Sequence, residues 1–239
     1  DPGVRISTNL KFLPTDDNNL VVKSAKMLMK EFDLPGGLAI KLEKRIPVAA
    51  GLAGGSTDAA SCMIAINSMY DLGLSNSQLM KRGVKIGADI PYCILKGTAL
   101  AEGIGEKLST IPKLPNCTIL IVKPKIRVST KKVYEMLKVD ENTPHPDIDQ
   151  MIGDMKNADI KSLCSHMGNI LETVTIPENP VIEDIKKFMM ENGALGAMMS
   201  GSGPTIFGIY DDKDKAIRAK DEALKKFEKC FSFVTTLYR

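Results

Sequence analysis

Apolar and polar positions follow a helical period and then a strand period before the first glycine-rich segment of the chain. Apolar side chains in residues 19–32 recur at the spacing of an amphipathic helix, and Asp16–Asn18 offer side chains for its N-cap. Residues 38–43 alternate between apolar and charged side chains, as a strand with one buried face does. We therefore expect a helix and then a strand in this part of the chain.

A glycine-rich segment, Pro47–Gly55, separates that strand from a second apolar stretch. The side chains of Ser56–Asp58 suit the N-cap of a helix that continues to about Tyr70 and ends before Gly73. The sequence therefore predicts a strand, a glycine loop and a helix in direct succession.

The rest of the chain is predicted to mix helices and strands. Pro91 disfavours helical geometry at the residue before it, so residues 87–92 are expected to be irregular. Residues 140–149 hold two prolines among polar side chains and are expected to form a loop. The other predicted elements are, in chain order, a helix from Ser77 to Gly87, a hairpin around Gly103–Gly105, a strand at 117–122, a helix from Ser129 to Leu137, two or three helices after residue 149, two strands flanking Gly201–Pro204, a helix at about 213–229 and a strand at 231–238.

These elements have no strict β-α-β period, which favours an α+β fold over a doubly wound α/β fold. A chain of 239 residues can form one large domain or two domains of ordinary size.

Composition removes several classes of function. The chain is 44% hydrophobic and 26% charged, as globular proteins are, and no apolar run approaches the ~20 residues of a membrane-spanning helix. The net charge of +3 is spread along the chain and Trp is absent, so no nucleic acid and no membrane partner is expected. Five isolated cysteines favour reduced thiols in a cytosolic core, and two histidines leave little for a metal site.

The segment from Pro47 to Asp58 has the composition of an anion-binding loop. Glycines let the main chain approach a phosphate, and a helix that starts directly after them directs free N–H groups at the same anion. The loop lacks the lysine of a Walker A motif, and its glycines do not have the dinucleotide-binding spacing. A glycine-rich turn before a buried helix remains the alternative interpretation.

Two further segments could carry chemistry. Asp89 lies between a glycine-ended helix and a proline, where a carboxylate could accept a hydroxyl proton during phosphoryl transfer or could cap its own turn. The glycines of Gly201–Pro204 could approach a ligand or could form an ordinary hairpin.

Taken in order, these three segments resemble the small-molecule kinases named for galactose, homoserine, mevalonate and phosphomevalonate, the GHMP kinases. Nearly the whole chain shares the resemblance. It implies an N-terminal ATP-binding domain at residues 1–123, a ferredoxin-like C-terminal substrate domain at 124–239 and an active site in the cleft between them. The family loop is matched at Pro47, Gly51, Leu52, Gly54, Gly55, Ser56, Thr57, Ala59 and Ala60, and the late glycine loop at Ser200–Gly203.

Within the family, residues 87–91 and 97–106 resemble the members that phosphorylate a cytidine diphosphate-linked methylerythritol. The implied reaction moves the γ-phosphoryl group of ATP, with Mg²⁺, to the 2-hydroxyl of the methylerythritol in mevalonate-independent isoprenoid synthesis. The resemblance further implies a bacterial cytoplasmic enzyme that is a monomer or a homodimer. Kinases of the mevalonate or homoserine type, and a non-catalytic nucleotide-binding relative, remain alternatives.

The resemblance also implies residue roles. Asp89 would be the catalytic carboxylate and contact the substrate, Ser56 could contact Mg²⁺, and the Tyr134 ring would stack on the cytosine. Thr130, Gly201 and Gly203 would complete the substrate site. The ATP-binding residues would be Pro47, Val48, Ala49, Ala50, Gly51, Leu52, Ala53, Gly54, Gly55, Ser56 and Thr57, with Asn19, Leu20 and Lys44 near the nucleoside.

One departure from the family concerns the N-terminal motif. Family members begin with a strand whose lysine pairs with the catalytic aspartate, and nothing before Leu20 matches it. The first residue is Asp1, so we expect that a segment of the family's N-terminus precedes the given sequence and that this chain alone is not fully active.

Overall fold

A computed structural model describes residues 3–141, 143 and 145–237. The chain divides into two compact units: Asp1–Val48 with Ala53–Ile111, and Ala49–Leu52 with Pro112–Arg239. Asn142 and Pro144 of the predicted loop, and Tyr238 of the last predicted strand, lie outside the described residues.

The first unit contains helices that surround one apolar core, together with two small sheets. Its β1 and β2 pair in parallel with Val4 opposite Leu38, and β3 and β4 form the predicted antiparallel hairpin. The elements are β1 (Val4–Thr8), α1 (Leu20–Glu31), β2 (Leu38–Leu42), α2 (Gly54–Met69), α3 (Asn76–Gly83), α4 (Ile90–Leu95), β3 (Ala99–Glu102) and β4 (Lys107–Thr110).

The apolar stripe of α1 packs on α2, as the helical period predicts. Leu28 and Met29 of α1 share a buried cluster with Ala59, Ala60 and Met63 of α2. The small alanines allow the two helices to approach closely. This packing holds α2, whose first residues are the last two glycines of the glycine-rich segment.

Several predicted boundaries in this unit are wrong. Asn19 caps α1 in place of Asp16–Asn18, because its Oδ1 accepts the Val21 N–H at 3.0 Å. Residues 90–92, which were expected to be irregular, lie in the helix Ile90–Leu95, since Pro91 is in its first turn, where the missing N–H has no intrahelical partner to lose. Strand β1 was not predicted from the pattern of apolar residues.

The second unit is a four-stranded antiparallel sheet with helices. The strand order is β6-β7-β5-β8, the ferredoxin-like arrangement that the resemblance implied. Among the described residues between α5 and β6 there are four helices, not the two or three predicted. The elements are β5 (Thr118–Lys123), α5 (Thr130–Met136), α6 (Ile148–Lys156), α7 (Ile160–His166), α8 (Glu172–Glu178), α9 (Val181–Glu191), β6 (Gly196–Met199), β7 (Ile206–Tyr210), α10 (Lys213–Lys226) and β8 (Phe231–Thr236).

One face of this sheet forms the core of the second unit. Leu120 and Val122 of β5 are fully buried in a cluster with Ile185 of α9 and Ala219 of α10. Because β5 pairs with both β7 and β8, it belongs to this sheet, although the predicted boundary at 123/124 assigns it to the N-terminal domain.

Within the described ranges, no helix combines the length and the apolar content that crossing a bilayer requires.

The core of the first unit can be tested with a pair of leucine substitutions. Leu28 is 0% exposed and Leu224, on α10, is 48% exposed. We expect Leu28→Ala to lower the free energy of unfolding by about 2 to 5 kcal/mol, because the lost methyl groups leave a cavity. Leu224→Ala should change it by less than about 0.5 kcal/mol. Urea denaturation followed by circular dichroism measures both, and equal losses would contradict the assigned core.

Candidate active site

The glycine loop has an unusual backbone. Ala49, Gly51 and Ala53 have positive φ angles of 51°, 70° and 47°. Left-handed geometry costs a residue other than glycine about 1 to 2 kcal/mol, so such residues usually avoid it. Left-handed residues that alternate with others turn successive N–H groups towards one side and form anion-binding concavities. The loop therefore has the backbone geometry expected of an anion site.

Helix α2 begins directly at the end of this loop, without a side-chain cap. Its N-cap residue is Ala53, which makes no side-chain capping hydrogen bond to the first turn. The predicted cap at Ser56–Asp58 is therefore wrong, since these residues lie inside the helix. The first N–H groups of a helix have no intrahelical partner and carry the positive end of its dipole. The first turn of α2 can therefore receive an anion at Gly54–Ser56.

A buried lysine adds positive charge at this turn. The Lys44 ammonium forms an ion pair of 2.5 Å with Asp58, and a Cβ atom on Gly54 would lie 2.9 Å from Lys44 Nζ. Asn9 fixes the Lys44 main chain with two hydrogen bonds, to the Lys44 N–H and carbonyl. Lys44 thus occupies the space that a side chain at position 54 would need.

The other two predicted nucleoside neighbours also lie in this unit. Leu20 Cδ1 would contact a Cβ atom on Gly55 at 3.6 Å. Asn19 is buried, and its amide donates to the Pro14 carbonyl at 2.8 Å while its oxygen caps α1. The structure therefore gives Asn19 an internal role, and its contact with a nucleoside stays a prediction.

Asp89 lies one helical turn before Cys93 in the same unit. It is exposed, it occupies the N-cap position of α4, and its side chain makes no capping hydrogen bond. The Cys93 thiol contacts the Thr57 hydroxyl at 3.4 Å. Burial raises the pKa of Cys93, and the negative charges of Asp89 and Asp58 raise it further, against the hydrogen bond from Thr57. The Asp89 carboxylate and the first turn of α2 therefore lie around one thiol.

The predicted magnesium contact also lies on the first turn of α2. Ser56 is 9% exposed in the loop-proximal turn of the helix. Among residues 3–141, 143 and 145–237, no group of three or more His, Cys, Asp or Glu side chains could hold a metal ion. A hydroxyl is an oxygen donor of the kind Mg²⁺ accepts beside phosphate oxygens. The donor set thus fits a Mg²⁺ ion that phosphates bring with them.

In the second unit, the loop tip Ala49–Leu52 packs on the late glycine loop. The Ser200 hydroxyl donates to the Gly51 carbonyl at 2.8 Å. A Cβ atom on Gly51 would lie 2.4 Å from the Ser200 carbonyl oxygen and 3.0 Å from that of Gly203. Main-chain atoms cannot move aside as a flexible side chain can, so only glycine fits at position 51.

The late glycine loop is itself held by side-chain hydroxyl groups. Thr130 and Ser202 share a hydrogen bond of 2.8 Å, and Thr175 donates to the Ser202 carbonyl at 3.2 Å. A Cβ atom on Gly203 would lie 2.6 Å from the Met199 sulfur. Tyr134, on the helix that Thr130 begins, is 61% exposed. The predicted substrate residues of this unit therefore divide into a fixed loop and an exposed ring.

Several residues that shape these two glycine loops were not predicted from the sequence. Asn9 follows β1, which was not predicted, and Asp58 was interpreted as a cap. Asn169, in the connection between α7 and α8, and Glu172, the first residue of α8, contact the main chain of Met199 and Gly201. The only local signal for Asn169 is its position before an apolar turn, which is typical of an Asx turn.

Comparison with known proteins gives a consistent result. The GHMP kinases N terminal domain profile matches residues 19–97, and the GHMP kinases C terminal profile matches residues 151–229. A 4-diphosphocytidyl-2-C-methyl-D-erythritol kinase of Lachnoclostridium phytofermentans is 52% identical over 219 residues, which cover 92% of this chain and 75% of that relative.

Solved structures show the same fold with different substrates. A crystal structure of 4-(cytidine 5'-diphospho)-2C-methyl-D-erythritol kinase superposes with a TM-score of 0.81 at 28% identity, over 100% of this chain and 83% of that one. Homoserine kinase from Cytophaga hutchinsonii superposes with a TM-score of 0.84 at 22% identity, over 100% of this chain and 82% of that one. The backbone alone therefore does not distinguish the acceptor alcohol.

The steric requirement at the loop tip predicts different effects for two glycine substitutions. Gly51 and Gly73 both have positive φ angles, of 70° and 63°, but a Cβ atom on Gly73 would meet nothing within 4 Å. Gly73→Ala should cost only the backbone penalty of about 1 to 2 kcal/mol in the free energy of unfolding. Gly51→Ala should cost more and should also weaken the binding of a non-hydrolysable ATP analogue.

Chemical denaturation and isothermal titration calorimetry measure these two effects. If Gly51→Ala and Gly73→Ala bound the analogue equally well, the loop tip would not need the geometry described.

Proposed function

Because this chain belongs to the GHMP kinase family, and within it to the 4-diphosphocytidyl-2-C-methyl-D-erythritol kinases, we propose that it transfers the γ-phosphoryl group of ATP to the 2-hydroxyl of that alcohol. The products are ADP and the 2-phosphate, in the mevalonate-independent route to isoprenoid precursors. The identity of 52% to a relative of this name supports the alcohol, which the fold alone does not.

The observation that carries the proposal is the meeting of Asp89 and the first turn of α2 around Cys93. The Cys93 N–H bonds to the Asp89 carbonyl at 3.1 Å, and its thiol contacts Thr57 at 3.4 Å. An anion-binding turn and an exposed carboxylate within one unit are the two parts that phosphoryl transfer to a hydroxyl requires.

In this proposal the loop binds the phosphates and Asp89 handles the proton. The acceptor oxygen attacks the γ-phosphorus, the bond to the β-phosphate oxygen breaks, and the hydroxyl proton passes to the Asp89 carboxylate. Asp89 has no ion pair with another described residue, so its carboxylate is available as an acceptor. The main-chain N–H groups at Gly54–Ser56 bind phosphate oxygens of ATP. ADP leaves after the γ-phosphoryl group has passed to the alcohol.

Lys44 is proposed to replace the lysine that the loop itself lacks. Its ammonium lies beside Gly54, and Asp58 holds it there. A buried positive charge at this position stabilises the negative charge of the triphosphate more strongly than an exposed one would. Mg²⁺, when bound, would neutralise further charge on the β- and γ-phosphates, with the Ser56 hydroxyl as its protein contact.

The substrate end of the site is assigned to the second unit. The exposed Tyr134 ring is proposed to stack on the cytosine, since base stacking on an aromatic ring contributes about 1 to 3 kcal/mol. Gly201 and Gly203 belong to the fixed loop, and Thr130 of α5 is bonded to it through Ser202. These three residues are proposed to position the alcohol.

Substitution of Asp89 tests its role directly. Asp89→Asn keeps the shape of the side chain but removes the proton acceptor, so turnover should fall by a factor on the order of 10² or more. The affinity for an ATP analogue should stay close to that of the parent protein, because Asp89 does not bind the phosphates. Steady-state kinetics and calorimetry provide the two values.

Asp149→Asn is the matched control, since Asp149 is exposed and lies in the first turn of α6. Parent turnover in Asp89→Asn, or an equal loss in Asp149→Asn, would refute the catalytic role.

A panel of alcohols tests the substrate. ADP release should occur with the cytidine diphosphate-linked methylerythritol and fall at least about 10³-fold with homoserine or mevalonate, because both lack the base and the diphosphate. Activity with mevalonate or homoserine alone would move the protein to another branch of the family. If none of the alcohols led to ADP release although the protein bound the analogue, a non-catalytic nucleotide-binding protein would be favoured.

A further inference from the structure

Two polar side chains from outside the late glycine loop hold its main chain in the second unit. The Asn169 amide nitrogen donates to the carbonyls of Met199 and Gly201, both at 2.8 Å. The Glu172 carboxylate accepts the Met199 N–H at 2.7 Å. Three main-chain groups, two of Met199 and one of Gly201, are thus bonded to the connection between α7 and α8 and to the first residue of α8.

These contacts exceed what a turn between two strands requires. The turn already closes through the Ser200 N–H to the Thr205 carbonyl at 2.8 Å and the Gly203 N–H to the Ser200 carbonyl at 3.0 Å. The additional side chains therefore determine where the loop lies.

The two side chains are themselves held rigidly. The Asn169 oxygen accepts the Leu171 N–H at 3.0 Å, so that each end of the amide is bonded. The second oxygen of Glu172 pairs with Lys186 of α9 at 2.6 Å, and both side chains are largely shielded from water. A side chain that is bonded at both ends transmits a defined position to its partner.

The late glycine loop, which they hold, is the segment that contacts the loop tip Ala49–Leu52. Ser200 lies between Met199 and Gly201, and its hydroxyl donates to the Gly51 carbonyl at 2.8 Å. Gly51 in turn packs on the carbonyls of Ser200 and Gly203. A displacement of residues 199–201 would therefore move the main chain at Gly51.

From these contacts we infer that Asn169 and Glu172 are positioning residues for the phosphate-loop tip, acting through the late glycine loop. Neither touches the reacting atoms, so neither is catalytic. The inference rests on the proposed function, because it assigns the loop tip to the binding of ATP. Small displacements of binding groups reduce rates strongly, since a shift of about 1 Å can cost on the order of 10²-fold.

Asn169→Asp separates this role from the fold of the α7–α8 connection. The aspartate keeps the oxygen that accepts the Leu171 N–H but replaces both donors to the glycine loop with an acceptor. We expect the dissociation constant of a non-hydrolysable ATP analogue to rise about tenfold or more and kcat/KM for ATP to fall by about 10 to 100-fold.

Asn192→Asp is the matched control. It also loses one amide donor to a carbonyl, that of Phe188 at 2.8 Å, but at the end of α9. Its analogue affinity should stay within about twofold of the parent, since the substitution lies away from both glycine loops. Loss of folded protein would lower kcat and leave KM for ATP unchanged, whereas displacement of the loop tip raises KM.

A second pair of variants tests the Met199 contact. Glu172→Gln keeps an oxygen for the Met199 N–H, so the affinity for the analogue should stay within about threefold of the parent, whereas Glu172→Ala should resemble Asn169→Asp. The inference is overturned if Asn169→Asp binds the analogue like Asn192→Asp, or if Glu172→Gln is as weak as Glu172→Ala.

The outcome separates this inference from the proposed function. If the parent protein phosphorylates no alcohol, the proposed function is refuted. If the affinity for the analogue nevertheless falls in Asn169→Asp and Glu172→Ala and not in the control variants, the positioning role is supported.

Discussion

At two positions in the glycine loop, neighbouring atoms already occupy the space that a side chain would need. At Gly51 the space of a side chain is filled by the carbonyl oxygens of Ser200 and Gly203, and at Gly54 it is filled by the Lys44 ammonium and by Ile46. Two close contacts depend on the absence of a side chain at these positions. In one unit the late glycine loop packs against the loop tip, and in the other a buried lysine ammonium lies against the first turn of α2.

The strain in this loop is offset by packing at some distance from it. Ala49 and Ala53 have left-handed backbone angles, at a cost of about 1 to 2 kcal/mol each. Helix α2 compensates through the buried contacts of Ala59, Ala60 and Met63 with α1, since each fully buried apolar side chain contributes on the order of 1 to 3 kcal/mol. The first turn of the helix can therefore stay without a side-chain cap, and its N–H groups remain available to a ligand.

Local sequence patterns predicted most of the helices and strands, because hydrophobic period and turn residues are local properties. The ferredoxin-like sheet followed from the family resemblance and is confirmed by the strand order. Helix α4 was missed because the rule for the residue before proline competes with the tolerance of proline in a first turn.

The contacts of the site are not local in the chain. Ser200 and Gly51 are 149 positions apart, and Glu172 is 27 positions from Met199. No spacing rule connects such residues, so Asn169 and Glu172 could be recognised only from the folded structure. The roles of Asp89 and Tyr134 were inferred from the resemblance, and they stay proposals that the geometry supports.

The account rests on the claim that the uncapped first turn of α2 binds the phosphates of ATP. A crystal structure of the protein with a non-hydrolysable ATP analogue tests it most directly. We predict phosphate oxygens within hydrogen-bonding distance, about 2.7 to 3.2 Å, of the main-chain nitrogens at Gly54–Ser56. An analogue whose phosphates lie elsewhere, with these N–H groups bonded to protein or water, would contradict the account.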